Sequence, residues 1–306
     1  MTAVRANGIA IDYEETGPRD APAILLIMGL GMQLVAWPNT FCEGLAARGF
    51  RVIRFDNRDA GLSSRMPSAG RIATRAMMAR ALVRLPVRPP YTLNDMAADT
   101  IGLLDALGIA KANVVGASMG GMIAQILAIE HPERVKSLTS IMSSPAPLLP
   151  RPRVLRALLR PPPRDEERAI RRMKEFFRLV GGAGYPPTEA ELQAKVGRSV
   201  RRSYRPDGLA RQLIAIQTAP SRVRMLRRVE APTLVVHGTD DPLIPMAGGE
   251  RTAASIPGAS LRIIPGMGHF LPEALVPLLV EEIAEHCRNA GGAASTGARR
   301  LAVGSP

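Results

Sequence analysis

The stretch Gly116-Ala117-Ser118-Met119-Gly120 constrains this chain more than any other feature. It joins a short apolar run, Asn113–Val115, to a helix-forming segment, Met119–Glu130. A serine on so sharp a strand-to-helix turn brings the residues two before and two after it close together. Both must therefore be small, as Gly116 and Gly120 are, and Gly121 extends the freedom of the turn. The serine then stands clear of the sheet at the start of a helix, where free N–H groups and the positive end of the helix dipole are near. Such a turn needs a buried strand leading into a helix, so it asks for an α/β architecture.

The flanking sequence supplies one. Ile9–Tyr13, Ala23–Met28, Phe50–Phe55, Asn113–Val115 and Val135–Met142 read as strands, being short apolar runs bounded by turn residues. Between them lie helix patterns at Trp37–Arg48, Leu93–Leu107 and Met119–Glu130; Asn94 and Asp95 offer capping oxygens at the start of the second. This alternation implies a mostly parallel sheet covered on both faces. It breaks at Ser143. Seven prolines fall within Ser144–Pro163, and Arg-rich helical segments follow at Asp165–Val180, Thr188–Ser203 and Leu209–Arg228. Strands resume at Thr233–His237 and Leu261–Ile264, and a last helix covers Leu271–Cys287. The expected organisation is an α/β core from residues 1–143 and 231–288, a helical Arg-rich cap at 144–230 and a disordered tail at 289–306. Residues 68–91 read as a basic loop with one short helix.

The net charge of +13 belongs to one segment. Ala146–Arg228 holds 18 Arg and 2 Lys against seven carboxylates, and the remaining residues balance. A nucleic-acid-binding protein more often spreads a basic stripe over its whole binding face, so nucleic acid is disfavoured as a partner. The segment reads as a solvated helical face, with an anionic membrane surface or an anionic substrate as the functional alternatives. Hydrophobic residues at 46% and charged residues at 22% exclude a disordered or fibrous chain. Cys42 and Cys287 are the only cysteines, too few for a disulfide framework or a four-cysteine zinc site. With no spanning run and no secretory h-region, a cytoplasmic location is expected.

A serine nucleophile needs a base, and there are four histidines. His131 ends the helix after the turn, His237 ends a buried strand, and His286 lies inside the last helix. His269 sits in the loop Pro265-Gly266-Met267-Gly268-His269-Phe270, directly after a strand, where parallel sheets build their sites. A third group must orient the imidazole and offset its charge. The turn His237-Gly238-Thr239-Asp240-Asp241-Pro242 offers Asp240 and Asp241 at the same sheet edge. The chain order serine, aspartate, histidine matches one hydrolase scaffold and not the others.

Together these residues resemble the α/β-hydrolase superfamily over about residues 5–288. The resemblance implies an eight-stranded, mostly parallel sheet and makes Asp241, the fifth residue of H-G-x-x-D, the acid. It implies an oxyanion hole from the backbone N–H groups of Leu30 and Met119. Leu30 lies in Met28-Gly29-Leu30-Gly31, which departs from the family's H-G-x-G loop by having Met28 for His. Trp37-Pro38, Phe41, Val52–Asp59, Gly61 and Ser63 are similar to a branch containing methylesterases of anthracycline polyketides. Within that similarity Asp56 and Arg58 read as a structural turn. The implied activity is a serine carboxylesterase without cofactor or metal; a lactonase, C–C bond hydrolase, perhydrolase or ligand sensor would carry the same residues. Ser118 at the nucleophile position argues against the dehalogenase and epoxide hydrolase branches, which use aspartate there.

Overall fold

A computed structural model of the chain describes residues 2–67, 76–78, 80, 85–163 and 165–291. The expected loop at 68–91 lies partly outside these residues, and the expected tail lies outside them from residue 292 onward.

Eight strands form one sheet: β1 (Thr2–Ala6), β2 (Ile9–Thr16), β3 (Ala23–Ile27), β4 (Arg51–Phe55), β5 (Ala112–Ala117), β6 (Val135–Ile141), β7 (Thr233–Gly238) and β8 (Ser260–Ile264). Their spatial order is β1-β2-β4-β3-β5-β6-β7-β8. The strands from β4 through β8 run parallel, while β2 pairs antiparallel with both β1 and β4. In β3 and β5 every residue is buried, as expected of central strands covered on both faces. One apolar layer, including Ile123, Leu127, Leu103 and Val114, fills one side. Trp37, Phe41, Leu279 and Ile283 fill the other, with the Trp37 and Phe41 rings stacked at 5.3 Å.

Several elements differ from the sequence reading. β1 is an additional strand, joined to β2 through Asn7 and Gly8, both at positive φ, the Asn-Gly pair favoured in tight hairpins. The helix expected from Trp37 begins only at Asn39, because Pro38 stands at its N-cap; a short 3-10 turn, Leu34–Ala36, precedes it. The helix Leu93–Ala106 is capped by Thr92, not Asn94, and Asp95 completes a capping box.

Between β6 and β7 the described residues form helices and no strand. The main ones are Pro152–Leu159, Glu166–Val180 and Pro206–Thr218. Over Glu189–Arg202 the expected single helix is interrupted by a π turn, Gln193–Gly197. The helix expected over Leu209–Arg228 stops at Thr218, and only a 3-10 turn follows. These helices carry their own small core, with Val154, Phe177, Val180 and Leu192. Several arginines of this segment are struts into the α/β core. Arg202 bonds Asp12, Asp56 and Gln33, and Arg211 grips Asp59 through two bonds of 2.8 and 2.7 Å. Arg222 is 1% exposed and reaches Gln125 and the Ser144 carbonyl; burial lowers its pKa to about 10. The segment's positive charge is thus not solely a solvated face.

Candidate active site

Ser118 follows the last residue of β5 and adopts φ 57° and ψ −120°. A side chain in this region costs about 1–3 kcal/mol, a cost that surrounding structure must over-determine. The packing explains how. A Cβ on Gly116 would lie 2.2 Å from the Gly120 carbonyl oxygen, and one on Gly120 would lie 2.0 Å from the Ile27 carbonyl oxygen. The glycines let the turn close against itself and against β3. The Ser118 N–H donates to the Ile141 carbonyl at 2.9 Å, and the Ser143 hydroxyl donates to the Ser118 carbonyl at 2.7 Å.

Two loops meet Ser118 at the carboxyl edge of the sheet. The loop after β8 carries His269, whose Nε2 lies 2.9 Å from Ser118 Oγ. The loop after β7 carries Asp241, whose Oδ2 lies 2.6 Å from His269 Nδ1. Asp241 Oδ1 accepts from the Leu243 and Ile244 N–H groups at 2.9 and 2.8 Å. Burial alone would raise the Asp241 pKa. The adjacent His269 imidazole, which bonds Oδ2, and the Ile244 N–H outweigh it, bringing the value down to about 2. Asp241 is therefore an anion at neutral pH. A hydrogen bond to its carboxylate leaves the proton on His269 Nδ1 and the lone pair of Nε2 facing the serine.

The adjacent Asp240 points elsewhere. Its oxygens accept from Thr239 Oγ1 at 2.9 Å and the Ala183 N–H at 3.2 Å. His237 is fully buried; its Nε2 lies 2.9 Å from the Ile244 carbonyl and 3.5 Å from Asp241. It packs under the Asp241 loop and against Gly249. His286 Nε2 faces the Leu138 carbonyl at 3.2 Å, and His131 stands at the C-cap of the helix Met119–Glu130. Asp56 is buried and accepts from the Leu34 and Leu62 N–H groups, while Arg58 pairs with Asp99. Both serve the turn after β4.

The loop Met28–Gly31 leaves β3 beside the serine: a Cβ on Gly29 would lie 3.0 Å from Ser118 Cβ. Asn57 Nδ2 holds the Met28 carbonyl at 3.0 Å, and Gln212 Oε1 accepts from the Gly31 N–H at 2.7 Å. Met119 is the first residue of its helix, so its N–H has no intrahelical acceptor. Gln212 has no motif signal in the sequence, and Asn57 is found there only as part of the run Val52–Asp59, with no role attached.

Ser118 and His269 open on a cavity of about 1170 Å³ between the sheet edge and the helical segment. Its volume exceeds the roughly 300–1,000 Å³ of ordinary small-molecule sites. Leu158, Met173, Phe176 and Leu213 line it with other apolar residues. Basic side chains also line it. Arg153, Arg156 and Arg160 are exposed, and Lys195, in the π turn, lies 4.2 Å from the Phe270 ring centre. Burial lowers the Lys195 pKa to about 8. Arg172 turns its donors to the Ala157, Arg160 and Pro161 carbonyls.

Comparisons with known proteins agree with this architecture. Residues 22–273 match the model of the alpha/beta hydrolase fold family. Rhodomycin D methylesterase DauP of Streptomyces sp. (strain C5) is 32% identical, over 89% of this chain and 93% of its own length. Rhodomycin D methylesterase DnrP of Streptomyces peucetius is 31% identical over the same shares of each chain. Among solved structures, the enol-lactonase from Burkholderia xenovorans LB400 superposes with a TM-score of 0.73 at 24% identity, covering 94% of this chain and all of that one; at that identity it supports the fold alone. With a family match across most of its length and the sheet to go with it, the chain belongs to the α/β-hydrolase fold family.

Proposed function

We propose that this protein is a serine carboxylic-ester hydrolase in which Ser118, His269 and Asp241 form the catalytic triad and the Leu30 and Met119 N–H groups form the oxyanion hole. The carrying observation is the continuous chain Ser118 Oγ, His269 Nε2, His269 Nδ1, Asp241 Oδ2, with links of 2.9 and 2.6 Å. At the level of class, membership of the family and the esterase relatives make it a carboxylic ester hydrolase.

In the first half-reaction Ser118 Oγ attacks the ester carbonyl carbon while His269 Nε2 takes the hydroxyl proton. Charge moves onto the carbonyl oxygen, which the two backbone N–H groups receive. Because these donors are backbone, Met28 in place of a histidine does not remove them. The tetrahedral species collapses, the C–O bond to the alcohol breaks, and His269 returns its proton to the leaving oxygen. Water then attacks the acyl-enzyme by the same route and releases the acid. Asp241 stays ionised throughout and stabilises the imidazolium.

Residues 144–230 are the cap that chooses the ester. A cavity of about 1170 Å³ with mostly apolar walls suits a bulky acyl or alcohol part. The relatives named rhodomycin D methylesterases favour the methyl ester of a polycyclic acid. Arg153, Arg156, Arg160 and Lys195 favour an ester that also carries negative charge. A panel of purified esters tests both points, with acyl and alcohol size and charge varied independently. Turnover of a bulky methyl ester above that of a short-chain ester supports the reading. Absence of any ester hydrolysis contradicts it.

A further inference from the structure

We propose that Gln212, which lines no part of the substrate cavity, is a positioning residue that fixes the oxyanion loop from the cap. The proposal rests on the reading of the Leu30 N–H as an oxyanion donor.

The loop after β3 is tied down at several points. Asn57 Nδ2 donates to the Met28 carbonyl at 3.0 Å, the Met32 N–H donates to the Gly29 carbonyl at 3.1 Å, and the Leu34 N–H donates to Asp56 Oδ1 at 2.7 Å. All three partners belong to the α/β core. Gly31, next to the proposed donor, is held differently. Its N–H donates to Gln212 Oε1 at 2.7 Å, across 181 residues of sequence, from the helix Pro206–Thr218. Gly31 is at φ +66°, and a Cβ there would lie 2.4 Å from Leu209 Cδ1 of the same helix. The loop takes its left-handed step where this helix presses on it.

Gln212 is fully buried, and both ends of its amide are used. Nε2 donates to the Arg58 carbonyl at 2.8 Å while Oε1 accepts from Gly31. These partners fix the amide's orientation. A flipped amide would set NH₂ against N–H and carbonyl against carbonyl. The neighbouring Arg211 grips Asp59 through two bonds, and Asp59 also accepts from Tyr91 Oη at 2.8 Å. The glutamine is thus mounted on a rigid part of the cap. The Gly31 N–H and the Leu30 carbonyl share one peptide plane, and the Leu30 N–H lies in the plane before it; the two are joined through Leu30 φ and ψ alone, so holding the first restricts the directions open to the Leu30 N–H. An oxyanion donor is worth most when its direction is fixed before charge develops. Its effect should therefore appear in the transition state and not in ester binding.

The test uses the full-length enzyme with Q212L and Q212M, the second matching the glutamine in length if the first fails to fold. Misalignment of one donor is expected to lower kcat by about 10- to 100-fold while KM stays within about threefold. A boronic acid that forms a tetrahedral adduct on Ser118 should lose affinity by the same factor as kcat/KM. A purely structural role would lower the melting temperature without that parallel. Wild-type kcat and boronate affinity in a folded variant would overturn the proposal, as would a rise in KM at unchanged kcat. S118A, run alongside, separates the two levels. If it abolishes turnover while Q212M behaves as wild type, only the role of Gln212 fails. If S118A retains turnover, the nucleophile assignment itself fails.

Discussion

Replacing Asp241 by asparagine is the sharpest probe of the site, because its neighbour supplies the control. The Asp241 side chain is fully buried, its Oδ2 is 2.6 Å from His269 Nδ1, and two backbone N–H groups fix its other oxygen. An asparagine keeps an oxygen for those N–H groups and turns its NH₂ toward Nδ1. The imidazole must then carry its proton on Nε2, facing Ser118, and cannot accept the serine proton. The expected loss is about 10⁴ in kcat, equal to about 5 kcal/mol of transition-state stabilisation. The Asp240 carboxylate accepts from Thr239 and Ala183 and not from His269, so D240N should stay within about threefold of wild type.

The same substitution has a stability signature. Asp241 titrates near 2 when folded, against an ordinary 3.8. Its contribution is therefore present above about pH 4 and lost as pH falls through about 2. The difference corresponds to about 2 kcal/mol. Stability of wild type relative to D241N, measured by urea unfolding at pH 5 and at pH 2, should shrink by roughly that amount. Steady-state hydrolysis of a p-nitrophenyl ester supplies the rate. Equal losses in D240N and D241N, or D241N with more than a tenth of wild-type kcat, would refute the reasoning.

Three further outcomes are expected. G120A should lose about 3 kcal/mol or fail to fold, since the new Cβ would meet the Ile27 carbonyl at 2.0 Å; unchanged urea unfolding would show that the turn has more room than these contacts allow. R211M should cost about 3–5 kcal/mol by leaving Asp59 ionised and buried without its cation, and a loss under about 1 kcal/mol would mean that the pair is not a strut. For a carboxylate-bearing ester, kcat/KM should fall relative to a neutral ester of equal size as salt rises from about 0.01 to 0.5 M, with kcat unchanged; parallel, flat profiles would leave the cap arginines without a steering role.

The sheet was legible because its central strands are continuous apolar runs and its turns carry glycine. The serine turn was legible for a steric reason, since a Cβ at Gly116 or Gly120 would run into a backbone carbonyl. His269 followed from its place after β8. Choosing Asp241 over Asp240 needed the family resemblance, because both lie in one turn and differ only in the direction their side chains take. β1 escaped because Thr2–Ala6 is mostly exposed, so apolar patterning carries no signal there; the Asn7-Gly8 pair was the available clue. The cap resisted for another reason. Arginine on a helix reads as a solvated charge, yet Arg202, Arg211 and Arg222 each find a polar partner far away in sequence. Gln212 was invisible on the same grounds, as its partners lie 154 and 181 residues away.

Covalent capture of the nucleophile tests the central claim most directly. A fluorophosphonate reacts with a serine only where a base activates it and donors receive the developing oxyanion. Intact-mass and peptide mass spectrometry of the treated enzyme should find one adduct per chain, on the peptide containing Ser118. The adduct should be absent from S118A and strongly slowed in H269A. An adduct on another serine, or full ester turnover after Ser118 is completely modified, would contradict the account.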